Sequence, residues 1–119
     1  MKILAYALTL ALLVPASAAA QHEHPGSPTE RLGTVHFETS CAPATRGEFD
    51  RAVALLHSFE FGASIRAFND VLAADSTCAM AHWGIALSRW TNPMVPGTRS
   101  IALLQQGRQA ADAAMRLVD

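Results

Sequence analysis

Phe61-Gly62-Ala63-Ser64-Ile65-Arg66-Ala67-Phe68-Asn69-Asp70-Val71-Leu72-Ala73-Ala74 is the stretch whose reading decides the fold. Phe61, Ile65, Phe68 and Leu72 recur at steps of 4, 3 and 4, with Arg66, Asn69 and Asp70 between them. That is the spacing of one face of a helix, predicted over 61–74. Asp75-Ser76-Thr77 stops it and is placed to cap the next helix. Beyond it Met80, Trp83, Leu87 and Trp90 predict a helix over 78–91. On the N-terminal side Phe49, Ala52, Val53 and Leu56 predict a helix over 43–58. Ser40 is its expected N-cap, and Pro43 stands in the first turn, where a missing N–H costs little. Asn92-Pro93, Pro96 and Gly97 break the pattern, and Ile101, Leu104, Ala111, Met115 and Val118 resume it over 98–117. Gly107 weakens that last helix by about 1 kcal/mol relative to alanine. The expected class is all-α, built from antiparallel helix pairs, because the first connections are short.

The segments before these helices differ in kind. Met1 and Lys2 precede an apolar run from Ile3 to Val14, and Pro15 leads into Ala16-Ser17-Ala18-Ala19-Ala20. A positive start, a short apolar run and small residues are the parts of a cleavable signal peptide, here 1–20. Cleavage is expected after Ala20, with Ala18 and Ala19 as alternatives, and the destination is periplasmic or secreted. The run is too short for a comfortable membrane span. Residues 21–42 form a flexible and then extended segment. Gln21 to Glu30 is polar with two prolines, and Leu32, Val35 and Phe37 alternate with polar neighbours. This second part is expected to lie across the helices behind it. Residues 43–119 form the helical domain.

Charge excludes some partners. The whole chain carries 9 basic and 10 acidic residues, and Lys2 is its only lysine. Removing residues 1–20 leaves a net charge of about −2, which gives no electrostatic reason to expect nucleic acid or an anionic membrane.

The first two predicted helices with their turns occupy about 34 residues, the period of tetratricopeptide repeats. Phe59 to Ser76 resembles the second helix of such a repeat and its exit turn. Ser64 stands at a small position, Phe68 at the aromatic one, Val71 at the next small one, and Asp75-Ser76 replaces the common Asp-Pro stop. Ala81-His82-Trp83-Gly84-Ile85-Ala86-Leu87 resembles the opening of the next repeat. The likeness covers 45–91 best and 98–117 weakly. It departs where Val71 is larger than alanine and where Gly62 begins a helix poorly. Leu55 to Phe59 together with Ala79 to Ser88 is similar to the N-terminal part of larger exported bacterial proteins of this family. The resemblance implies a helical solenoid start that binds a protein or peptide partner. Small residues at 64, 84 and 86 would let helices approach, with Phe68 filling the gap between the first two. About three repeats are needed for a stable stack. The expectation is therefore a partial chain of a larger repeat protein, or self-association through the open helical end.

Cys41 and Cys78 are the only cysteines. Outside the cytoplasm two cysteines favour one disulfide. In a repeat the N-termini of successive first helices are neighbours, so Cys41 and Cys78 are sterically able to pair; two unpaired thiols are the alternative. Trp83 and Trp90 read first as core or inter-repeat packing. The other reading puts Trp90 on the concave groove with Arg89, Asn92 and His82 as partner-binding candidates. His57 is expected in or beside the core. His22 and His24 in Gln-His-Glu-His are metal-ligating candidates, since imidazole near a free amine suits copper or nickel, and a small metal-binding protein is the alternative function. No cofactor is expected. No nucleophile elbow, phosphate loop or zinc-protease helix occurs, so the expectation is not an enzyme.

Overall fold

The computed structural model describes residues 32–97 and 99–118. The segment expected to be a signal peptide and the expected metal ligands His22 and His24 lie outside the described residues. Within them the protein is all-helical, with a 3-10 turn at Pro43–Thr45 running into α1 (Arg46–His57), then α2 (Phe61–Ala74), α3 (Ala79–Trp90) and α4 (Ile101–Met115). Four side-chain contacts fix the order of packing. The Ser64 hydroxyl of α2 donates to the Ala52 carbonyl of α1 at 3.0 Å, and Phe68 meets Phe49 at 5.5 Å between centroids. As numbers rise along α2 they fall along α1, so the pair is antiparallel. Ser64 with Ser88, and Phe68 with Gly84, show the same for α2 and α3.

The core is the α1–α2–α3 junction. Phe49, Ala52, Val53 and Leu55 of α1, Ala67, Phe68 and Val71 of α2, and Cys78 and Ala81 beside them form one buried cluster. Phe68 does more than fill the gap between α1 and α2. Its ring, 0% exposed, lies directly on Gly84 of α3. Ser64 and Ser88 are the polar part of this seam. The single Ser88 proton has two acceptors in reach, the Gly84 carbonyl at 2.8 Å and Ser64 Oγ at 3.1 Å. Both hydroxyls are thus satisfied inside the core, as burial requires.

Several expectations are corrected. The faces chosen by large apolar residues are not the faces packed most tightly. On α3 the buried residues are Ala81, Gly84 and Ser88, while Leu87 and Trp90 are exposed. No residue of α4 is buried. Its half-covered positions are Leu103, Gly107, Ala110, Ala113 and Ala114, and Ile101, Leu104, Ala111, Met115 and Val118 point outward. The reason is distance: small side chains let two helix backbones approach, and large ones are displaced to the rim. Gly107 shows this, because a Cβ there would meet Arg89 Cβ at 3.2 Å and the Ala86 carbonyl at 3.3 Å. Ser40 is not the N-cap. Ala42 holds that position before the 3-10 turn, and Thr45 precedes α1, with no side-chain cap at either place. Nor does the Asp75-Ser76-Thr77 turn cap α3, whose N-cap position is Cys78. Asp75 instead accepts from the Thr77 hydroxyl at 2.7 Å and, across the fold, from the Ala42 N–H at 2.7 Å.

Residues 32–39 do lie across the helices. They form no helix or strand, and Leu32, Val35 and Phe37 pack against the core. The Phe37 N–H donates to Asp50 Oδ1 of α1 at 3.1 Å. Its ring sits 5.8 Å from both Phe49 and Trp83, so this strap bridges α1 and α3. Cys41 and Cys78 are bonded, with sulfur atoms 1.97 Å apart. No described helix is long and apolar enough to cross a membrane.

Candidate functional site

The side of α1 and α3 that carries the strap continues into an open apolar groove of about 530 Å³. Its residues come from three places. Leu56 and His57 are the last turn of α1, Phe59 and Phe61 belong to the turn into α2, and Trp83, Leu87, Trp90, Thr91 and Pro93 come from α3 and its exit. Trp83, Leu87 and Trp90 stand at helical spacing and form a ridge. On the far side of that ridge a second hollow, of about 370 Å³, is walled by Leu103, Leu104, Gly107, Arg108 and Ala111 of α4. Of the outward stripe of α4, Leu104 and Ala111 line this hollow.

The turn between α1 and α2 has an unusual residue. Glu60 N–H bonds the Leu55 carbonyl at 3.0 Å and Phe59 N–H bonds the Leu56 carbonyl at 3.1 Å. These are the two bonds of a Schellman cap, whose central left-handed position normally holds glycine. Here it holds Phe59, with φ 62°. At the exit of α3, on the same groove, Thr91 takes φ 64° and ψ −163°.

The four sequence candidates for partner binding divide. Trp90 is 56% exposed and lines both hollows, so it belongs to the surface and not to the core. Arg89 lies on a different, smaller hollow of about 250 Å³ with Arg99 and Ser100, and its Nε is buried without a hydrogen-bond partner. Asn92 holds its own turn: its Oδ1 accepts the Met94 N–H at 2.9 Å, and its carbonyl accepts from Arg99 at 3.2 Å. His82 lines none of these hollows. It is half-buried, and loss of water together with the positive charge of Arg116 holds its pKa below the ordinary imidazole value. His57, expected in or beside the core, is exposed on the groove.

Sequence reasoning missed Leu56, Phe59 and Thr91. Phe59 carried a readable signal, since Ser58-Phe59-Glu60 places a large aromatic in a tight helix–helix turn. Thr91 carried none. Among the described residues no three His, Cys, Asp or Glu side chains cluster in a way that could hold a metal. Cys78, the N-cap of α3, and His82, four residues on, are no ligand pair, because Cys78 is spent in the disulfide. No family model, no curated protein and no solved structure matches this chain.

Proposed function

We propose that this protein is a tetratricopeptide-type interaction module that works outside the cytoplasm and binds an extended segment of another polypeptide along α1 and α3. One observation carries the reading. The strap is itself an extended peptide on that face, hydrogen-bonded to Asp50 through its backbone and seated on Trp83 through Phe37. The open groove beyond it is walled by the same Trp83. Helix-lined grooves that hold extended peptides are a recurring use of stacked helix pairs. The Cys41–Cys78 bond supports an oxidising compartment.

Selection of a displayed library of random linear peptides on the protein, followed by tryptophan fluorescence titration of the enriched peptides, tests this. Enriched peptides are expected to shift the emission and to bind at least about tenfold more weakly to Trp90→Ala, as a central aromatic anchor requires. Equal enrichment on the Trp90→Asp variant overturns the reading.

A further inference from the structure

Phe59 and Thr91 are the two described non-glycine residues with positive φ, and both line the same groove. One is supplied by the α1–α2 turn and the other by the end of α3, so their coincidence does not follow from chain proximity. Each conformation is unfavourable for its residue. The left-handed region crowds the Cβ of any L-residue against the following carbonyl. The combination of φ and ψ at Thr91 belongs essentially to glycine, and a β-branched side chain makes it worse.

Burial does not offset this at Phe59. The residue is 57% exposed, and its ring leans edge-on against Phe61 at 6.1 Å. Glycine at 59 would keep both cap hydrogen bonds, which are made by backbone atoms alone. The phenyl ring is thus held at a strained position for something outside the core. Strain of this kind clusters at ligand clamps.

Resting on the peptide-binding reading above, we infer that Phe59 and Thr91 close the end of the groove around one large apolar side chain, aromatic or long aliphatic, of an uncharged extended segment of a partner polypeptide. The walls choose the chemistry. Leu56, Phe59, Trp83, Leu87 and Trp90 offer apolar and aromatic surface, and His57 is the one titratable side chain among the lining residues. A charged ligand side chain would lose water there without gaining a partner. Continuity chooses a polypeptide. Trp83 is shared between the groove and the seat of the strap, where Phe37 stacks on it with 30° between the ring planes. The groove offers the next position along a face that already holds one aromatic residue of an extended chain.

The test uses a capped pentapeptide, acetyl-Gly-Ser-Phe-Ser-Gly-amide, and counterparts with alanine or aspartate at the centre, titrated by NMR into the protein and its variants. The phenylalanine peptide is expected to bind at least about fivefold more tightly than either counterpart. Phe59→Gly and Thr91→Gly should abolish that preference, and Phe59→Tyr should retain it. The melting temperature of Phe59→Gly should not fall by more than about 4 °C, since relief of the backbone strain offsets the ring's edge-on packing against Phe61. A larger fall would mean that the ring serves the fold, and overturns the inference without reference to any ligand. Equal binding of the three peptides overturns it too. So does a dimer, seen by sedimentation, that Phe59→Gly dissociates, because the occupant is then a second copy. If library peptides bind and Trp90→Ala weakens them while Phe59→Gly does not, this inference fails and the peptide-binding reading stands.

Discussion

Gly84 has no room for a methyl group. A Cβ built there would run into the Phe68 ring, and that ring also packs edge-on against Phe49. Glycine in mid-helix costs about 1 kcal/mol relative to alanine, yet here the packing it permits outweighs that cost. Gly84→Ala is expected to lower stability by about 2 kcal/mol or more, because forcing extra volume into a filled core exceeds the helix gain. Gly107→Ala makes the comparison within the same protein. It has the same helix gain, but its nearest contacts are 3.2 and 3.3 Å and need yield only slightly. It should change stability little. Urea denaturation of the two variants checks both, and equal effects would show that Phe68 moves freely. Asp75 illustrates a polar counterpart. Hydrogen bonds from the Thr77 hydroxyl and the Ala42 and Thr77 N–H groups favour its charged form and hold its pKa below the ordinary carboxylate value.

The strap is the element whose role sequence pattern foresaw best. Leu32, Val35 and Phe37 alternate, and all three pack on the helices. Phe37 rests on rings of both α1 and α3, so removing it should free the strap without unfolding the helices. Phe37→Ala is expected to cost about 1–2 kcal/mol, the value of a partly buried ring and its aromatic contacts. It should also speed hydrogen exchange at 32–39 and shift Trp83 emission to the red. Unchanged exchange in the strap would show that the backbone bond to Asp50 holds it unaided. The helices were legible because their spacing is a one-dimensional signal, and all four agree within three residues at each end, close to the one or two residues by which end assignments generally differ. The first begins later as an α-helix because Pro43–Thr45 forms a tighter turn. The packed faces of α3 and α4 were less legible. Periodicity weights large apolar side chains, whereas close backbone approach selects Ala81, Gly84, Ser88 and Gly107, of which the repeat-like pattern pointed to Gly84 alone. Of the groove, Trp90 was foreseen, and Phe59 was legible from its place in the tight Ser58-Phe59-Glu60 turn. Thr91 owes its place to backbone angles, which local composition does not encode.

At the scale of the molecule, the Cys41–Cys78 bond joins the end of the strap to the start of α3 across 37 residues and encloses α1 and α2. The buried core lies almost wholly within this loop, and α4 adds no buried residue to it. A core of that size leaves a thin margin against chain entropy. Closing a loop of this length removes disorder from the unfolded chain equivalent to about 4 kcal/mol. Two further contacts act at the same corner: Asp75 receives the Ala42 N–H, and Thr45 donates its hydroxyl to the Ala42 carbonyl at 2.8 Å. They keep the corner in register but cannot replace the covalent link, since an ordinary hydrogen bond contributes about 1 kcal/mol net. Reduction with dithiothreitol is therefore expected to lower the urea midpoint by about 2 M or more. A Cys41→Ser/Cys78→Ser variant should behave like the reduced protein and ignore the reductant. If the oxidised and reduced proteins unfold at the same urea concentration, the fold does not depend on this bond, and the link between folding and an oxidising compartment is lost. If they differ as expected, the same chain left in a reducing compartment would be short of the stability its small core lacks. Folding would then depend on an oxidising compartment.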